Sequence, residues 1–177
     1  SKLGVDGHFP DARSTHGGWL DYHVQFAGPL AELVGATRDE VVAMNTLTVN
    51  LHLMFASFYR PTKKRFKIII ERDAFSSDRY AVESQLRLHG LDPNEALLEL
   101  GPRGDSFELD RERYDELLAA EGERIALVLL PGVQYLSGER LDIASYTAAA
   151  KRYGCNVGFD LAHAIGNVPL ALHDADI

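Results

Sequence analysis

Residues 155–167 read CNVGFDLAHAIGN, and the fold turns on their reading. Val157 and Phe159 alternate along a short apolar run that reaches Asp160, and His163 follows three residues later. A buried strand ending in a carboxylate marks the place where an open parallel sheet meets its ligand. An aspartate there is costly unless a charged or hydrogen-bonding partner answers it. The alternative is local: Asp160 caps the next turn, and Gly166-Asn167 closes it.

Upstream, strand-like and helix-like stretches alternate. Asp142 caps a helix expected to run to Tyr153, with Gly154 at its end. Before it, Ile125–Leu130 (IALVLL) is the clearest buried strand, stopped by Pro131-Gly132, with a loop at Leu136–Leu141. Asp110–Glu121 is a charged surface helix with Tyr114, Leu117 and Leu118 turned inward and Gly122 after it. Ala96–Leu100 reads as a short strand followed by a polar turn at Gly101–Asp105. Lys67–Glu71 (KIIIE) is a β-branched strand, and a helix follows it to Gly90 with Val82, Leu86 and His89 inward. Arg60–Lys67 is a basic link, read as a solvated turn. The stretch from Thr48, TVNLHLMFASFY, is apolar on most sides and is expected to be a buried helix. Glu40–Met44 reads as another strand. Trp19–Val34 reads as a helix that Gly28-Pro29 interrupts or kinks and Gly35 ends. Residues 1–18 form an extended arm, and 19–177 one unit. This alternation predicts an α/β fold, a mostly parallel sheet with helices on both faces.

Composition narrows the function. The chain has 177 residues and a net charge of −8, and its largest basic cluster is Lys63-Lys64-Arg65, so no nucleic-acid partner is expected. Its apolar runs are too short for a membrane span, and the N-terminal residues lack a signal-peptide core, so no membrane partner is expected. The single cysteine, Cys155, reads as an inert core thiol in a reducing, cytoplasmic setting. His8, His16 and His23 have no metal-site spacing, so no metal is expected. There is no initiator methionine, and LHDADI stops where an apolar run begins, so the chain is expected to be a piece of a longer protein.

Three expected strand ends carry suggestive residues. Leu47-Thr48 opens a helix, whose free N–H groups and dipole suit an anion, with the Thr48 hydroxyl as a further donor. Phe75, in the run Phe75-Ser76-Ser77-Asp78, could cover a planar ligand. Asp160 could meet a cation. Taken singly, Thr48 reads first as a cap and Phe75 as a core residue, and Asp160 reads as either a cap or a site residue. Together they match a phosphate arm, a planar ring and a pyridine nitrogen, the parts of pyridoxal 5'-phosphate. No glycine-rich dinucleotide or nucleotide loop follows any strand.

The segments MNTLTVNLHLMFASFYRPT, AFSSDRYAVESQLRLHG, PGVQYLSGE and GCNVGFDLAHAIGNVPLALHD occur in that order over residues 44–174. In these the chain resembles kynureninase, a pyridoxal-phosphate enzyme with the large domain of the aspartate-aminotransferase fold (fold type I). The resemblance implies hydrolysis of L-kynurenine to anthranilate and L-alanine, and possible use of 3-hydroxy-L-kynurenine, in tryptophan degradation and the kynurenine route toward NAD. It implies a homodimer. It places Leu47 and Thr48 at the phosphate, Phe75 on the ring with Ser76, Ser77 and Asp78 lining the site, Asp160 at the pyridine nitrogen, and His163 near the ring oxygen or phosphate. The family's Schiff-base lysine, in a Tyr-Lys pair beyond the Asp-x-x-His motif, would lie past Ile177. Lys2, Lys63, Lys64, Lys67 and Lys151 do not match it, so no catalytic residue is expected within the chain, and the segment alone is expected to be inactive. His8 and His16 are both candidates for the family's substrate-ring histidine. A cysteine desulfurase is the nearest alternative within the fold, but that group usually has Gln where His163 stands. A non-catalytic doubly wound binding fragment is the alternative outside enzymes.

Overall fold

A computed structural model describes residues 18–104 and 106–177. His8, His16, Lys2 and the arm up to residue 17 lie outside the described residues. Four strands, β1 (Lys67–Glu71), β2 (Leu97–Leu100), β3 (Ile125–Pro131) and β4 (Asn156–Asp160), form one sheet in the order β2-β1-β3-β4. Every pairing is parallel. The helices are α1 (Val24–Val34), α2 (Leu47–Phe58), α3 (Ser76–Leu88), α4 (Pro93–Ala96), α5 (Arg111–Glu121) and α6 (Ile143–Lys151).

Alternation along the strands sends successive side chains to opposite faces, and both faces are covered. Ile69, Val128 and Leu130 pack with Tyr114, Leu117 and Leu118 of α5 and with Tyr146, Ala149 and Ala150 of α6. Ile68, Ile70, Leu127 and Leu129 pack on the other face with Phe55 and Tyr59 and with Ala81, Val82 and Leu86 of α3. Each fully buried Ile or Leu contributes about 1.5–3 kcal/mol relative to exposure. That is why KIIIE and IALVLL, apolar without alternation, are the two central strands. Asp110 and Asp142 cap α5 and α6, accepting from the N–H groups of Arg113 at 3.0 Å and Ser145 at 3.1 Å. The fold class expected from the sequence is the one observed.

Several local expectations fail for physical reasons. Glu40–Met44 is not a strand. Glu40 closes a short 3-10 turn (Arg38–Glu40), where its carboxylate accepts the Thr37 N–H at 2.8 Å, and the residues after it find no ladder partner. The helix expected from Trp19 begins at Val24 after a turn, and Pro29 lies inside α1 without ending it, because a proline in the second turn forgoes only one ladder bond. Helix α2 is not buried: only Phe55 is, while Val49, Leu53, Met54 and Phe58 are exposed. His89 caps α3 from outside instead of facing inward, with its ring edge-on to Tyr59 at 5.4 Å. Helix α6 ends at Lys151, two residues short of Tyr153, in a turn that leads to Gly154 in the left-handed region.

The basic link is more than a solvated turn. The Arg65 guanidinium donates to the carbonyls of Gly122 (3.1 Å), Ile125 (2.6 Å), Gly154 (3.2 Å) and Tyr153 (2.9 Å). It thereby ties the end of α5, the start of β3 and the approach to β4 together. Cys155 is buried beside it, and burial raises its thiol pKa, as befits an inert core cysteine. The C-terminal segment clasps α1. Leu172 and His173 donate their N–H groups to the Val34 and Gly35 carbonyls, both at 3.0 Å. Gly35 has φ 63° and sits so close beneath this segment that a Cβ would lie 2.4 Å from the Leu170 carbonyl oxygen.

Candidate active site

β1, β3 and β4 end at one edge of the sheet, with Pro131 in register with Asp160 and Glu71 closing β1. Helix α3 starts beside this edge and delivers Asp78 from its first turn. Three carboxylates therefore converge: Glu71, Asp78 and Asp160 line one cavity of about 20 Å³, with Ile70, Ala74 and Leu129. Asp160 is half-buried, and one of its oxygens accepts the Ala162 N–H at 2.7 Å. The local turn-capping role is thus real, and it uses one oxygen.

The electrostatics of this cluster are unusual. Burial pushes Asp78 up to about 7, and a hydrogen bond to Asp160 and that group's charge add to the rise, while the Ser77 hydroxyl, 3.2 Å away, opposes it. Two adjacent carboxyls do not both ionise readily, and here Asp78 is the one whose proton is held more tightly. Burial also pushes Glu71 up to about 7, against a hydrogen bond from Gln134 and with the charges of Asp78, Glu139 and Asp160 behind it. The neighbours acting on Glu71 and Asp78 are all acidic or neutral. One Glu71 oxygen, Oε2, is buried without a partner. A site so short of positive charge fits a cationic ring nitrogen at Asp160.

Aromatic groups stand beside it. Phe75 precedes α3, 45 % exposed, with its ring edge-on to Tyr135 at 5.3 Å. Tyr135 in turn stacks on His163 at 6.3 Å with planes 28° apart. Ser76 and Phe75 line an open cleft of about 420 Å³ with Tyr80 and Tyr135. Asp73, at the bend into this cleft, holds φ 59°, a conformation uncommon for a residue other than glycine.

Phe75, Ser76, Ser77, Asp78, Asp160 and His163 are thus brought together. Leu47 and Thr48 are not joined to them by any hydrogen bond or aromatic contact among the described residues. They open α2 after an extended segment instead of a strand, so only two of the three expected strand ends exist. The helix start still suits an anion. Thr46 makes no side-chain cap bond, and Asn50 holds the preceding loop by accepting the Asn45 N–H at 2.9 Å. Sequence reasoning passed over Glu71, Gln134 and Tyr135. The signals were present: Glu71 closes KIIIE at a strand's carboxyl end, and Gln134-Tyr135 follows the strongest strand in PGVQYLSGE. Gln134 is buried and turns this loop, accepting the N–H groups of Leu136 at 2.6 Å and Ser137 at 2.7 Å.

No protein-family profile matches the chain. Curated relatives do. It is 55 % identical over 176 residues to the kynureninase of Salinispora tropica, covering 99 % of this chain and 40 % of that protein. Over nearly all of its length, the chain is similar in sequence to kynureninases. The kynureninase of Xanthomonas campestris is 53 % identical over 172 residues, 97 % of this chain and 40 % of that one. The kynureninase of Myxococcus xanthus is 53 % identical over 174 residues, 98 % and 40 %. The chain therefore spans about two-fifths of the length of these kynureninases. Among solved structures, a chain of a SepCysS–SepCysE N-terminal domain complex superposes with a TM-score of 0.62 at 18 % identity, over 85 % of this chain and 38 % of that one. That likeness concerns the fold alone.

Proposed function

We propose that this chain forms the cofactor-holding part of a kynureninase, which cleaves L-kynurenine or its 3-hydroxy analogue with water to the corresponding anthranilate and L-alanine. The observation that carries this reading is the convergence of Glu71, Asp78 and Asp160 at the carboxyl edge of the sheet, acidic, short of any cation and flanked by Phe75, Tyr135 and His163. When bound, pyridoxal 5'-phosphate supplies an electron sink for carbon–carbon cleavage. Asp160 holds the proton on its ring nitrogen. Asp78, protonated, donates to Asp160 and holds that carboxyl in place. Phe75 covers a ring face, with Ser76 and Ser77 beside it. Leu47 and Thr48, at the uncapped start of α2, bind the phosphate, and His163 orients the ring's polar edge.

The described lysines do not serve as the cofactor's attachment point. Lys63, Lys64 and Lys67 lie before or at the start of β1, and Lys151 ends α6 before β4, all at the opposite edge of the sheet from Asp160. Lys67 is buried in an ion pair with Glu121 at 3.1 Å, and Lys64 pairs with Glu123 at 2.7 Å. We therefore expect the 177-residue segment alone not to turn over. Exposed Val49, Leu53, Met54 and Phe58 on α2 support a homodimer that covers this helix. A cytoplasmic location follows from the same reading.

The test is Asp160→Asn in the full-length protein. Kynurenine cleavage should fall by about 10²–10³-fold, with the circular dichroism spectrum unchanged. Full activity in a folded Asp160→Asn variant would sink the assignment. A wild-type protein that takes up no pyridoxal 5'-phosphate in a titration would favour the non-catalytic binding domain.

A further inference from the structure

Glu71 is only 5 % exposed, and its two carboxyl oxygens have different surroundings. One receives the amide of Gln134, whose own oxygen is occupied by the Leu136 and Ser137 N–H groups, so its NH₂ is the end left to donate. The other, Oε2, is buried with no partner. Glu71 lines the cavity of about 20 Å³ that Asp78 and Asp160 also line, enough for one water with two to four polar partners. The charged groups that act on Glu71 come from three elements: Asp78 from α3, Asp160 from β4 and Glu139 from the loop after β3. All three are acidic, so an ionised Glu71 would be an unpaired buried charge among like charges.

We propose that Glu71 is a positioning residue for Asp160: a neutral acid behind the site that donates a hydrogen bond, through one water in this cavity, to the Asp78–Asp160 pair. Held in this way, the Asp160 carboxyl is presented where a cationic ring nitrogen would meet it. Glu71 itself touches neither cofactor nor substrate. The burial of Glu71 and its raised proton affinity agree with this, since its carboxyl is pushed up to about 7. The role rests on the reading of Asp160 as the partner of the cofactor nitrogen.

The experiment uses the full-length protein and two variants, Glu71→Gln, which keeps a neutral donor, and Glu71→Met, which keeps the volume alone. Infrared difference spectra between pH 6 and pH 9 (about one to two units either side of the expected transition) are recorded without cofactor. The wild type should lose a protonated-carboxyl band as pH rises, and both variants should lack the Glu71 part of it. Affinity for pyridoxal 5'-phosphate is then titrated by fluorescence. The Gln variant should stay within about threefold of wild type and the Met variant should weaken by about tenfold. An unchanged band in Glu71→Gln would show Glu71 ionised and overturn the proposal. Equal affinities of the Gln and Met variants would reduce Glu71 to packing and overturn it equally. If the band behaves as expected but the wild type takes up no cofactor, the reading of Asp160 fails and the positioning role with it, while Glu71 stands as a neutral buried acid.

Discussion

The carboxyl edge of the sheet and helix α2 invert each other. At the edge, polar groups are buried: Glu71 and Asp78 sit behind strands whose side chains are sealed on both faces. On α2, apolar groups are exposed: Leu47, Val49, Leu53, Met54 and Phe58 face outward, while Phe55 and the partly buried Leu51 reach the core. The first arrangement is stable only because the surrounding sheet is over-determined, and it is where the proposed site lies. The second leaves apolar surface uncovered among the described residues, where a covering surface would add stability. Buried polar groups and exposed apolar groups are the two departures from ordinary burial that carry information.

The widest gap between the two regions should appear in stability. Leu130→Ala removes a side chain 1 % exposed between two layers and should cost about 3–4 kcal/mol by urea unfolding. Leu53→Ala, 41 % exposed, should cost less than about 1 kcal/mol of folding stability. It should instead weaken self-association in sedimentation. Equal unfolding losses for the two would erase the contrast.

A smaller effect belongs to the carboxylates. In the fold Glu71 and Asp78 keep their protons to about 7, whereas their ordinary values are 4.5 and 3.8. The folded state thus binds more protons than the unfolded chain across that interval, so stability falls as pH rises through it. Urea midpoints of the cofactor-free full-length protein should decline between about pH 4 and pH 7, and Asp78→Asn should flatten the decline. A midpoint that rises over this range would contradict the assigned protonation.

The smallest effect lies at the exposed clasp on α1. His173 Nδ1 lies 2.9 Å from Glu40, whose carboxyl is held down at about 2, first by the Thr37 backbone N–H and then by His173. The same contact raises His173. Glu40's share of the stability is present above its ordinary 4.5 and fades as pH falls toward about 2. His173's share is present below its ordinary 6.5 and fades as pH rises through its raised value. Protection of the Leu172 and His173 amides relative to intrinsic exchange should therefore be greatest between these limits. Glu40→Gln should remove the pH dependence while leaving exchange in β3 unchanged.

Much of the sheet was legible in the sequence, because a parallel sheet buried on both faces leaves unbroken apolar runs. KIIIE and IALVLL announce β1 and β3, and Gly90, Gly122 and Gly154 mark the turns between elements. Phe75, Asp78, Asp160 and His163 were legible as site candidates from their place after strands. The N-terminal third was read less well. Glu40–Met44 has the composition of a strand but no ladder to join, and α2 has the composition of a core helix but packs only one side. Apolarity records that a residue will be covered, and it is silent on which surface covers it.

The sequence by itself determined the alternation of elements, the parallel sheet and the likeness to kynureninases, since these depend on periodicity and residue order along one chain. Only the tertiary structure decided that Asp160 meets Asp78 and Glu71 instead of a cation, that Tyr135 bridges Phe75 and His163, and that Arg65 ties three segments together. Those facts depend on distances between residues up to about ninety positions apart in the chain, which packing sets and local pattern does not encode.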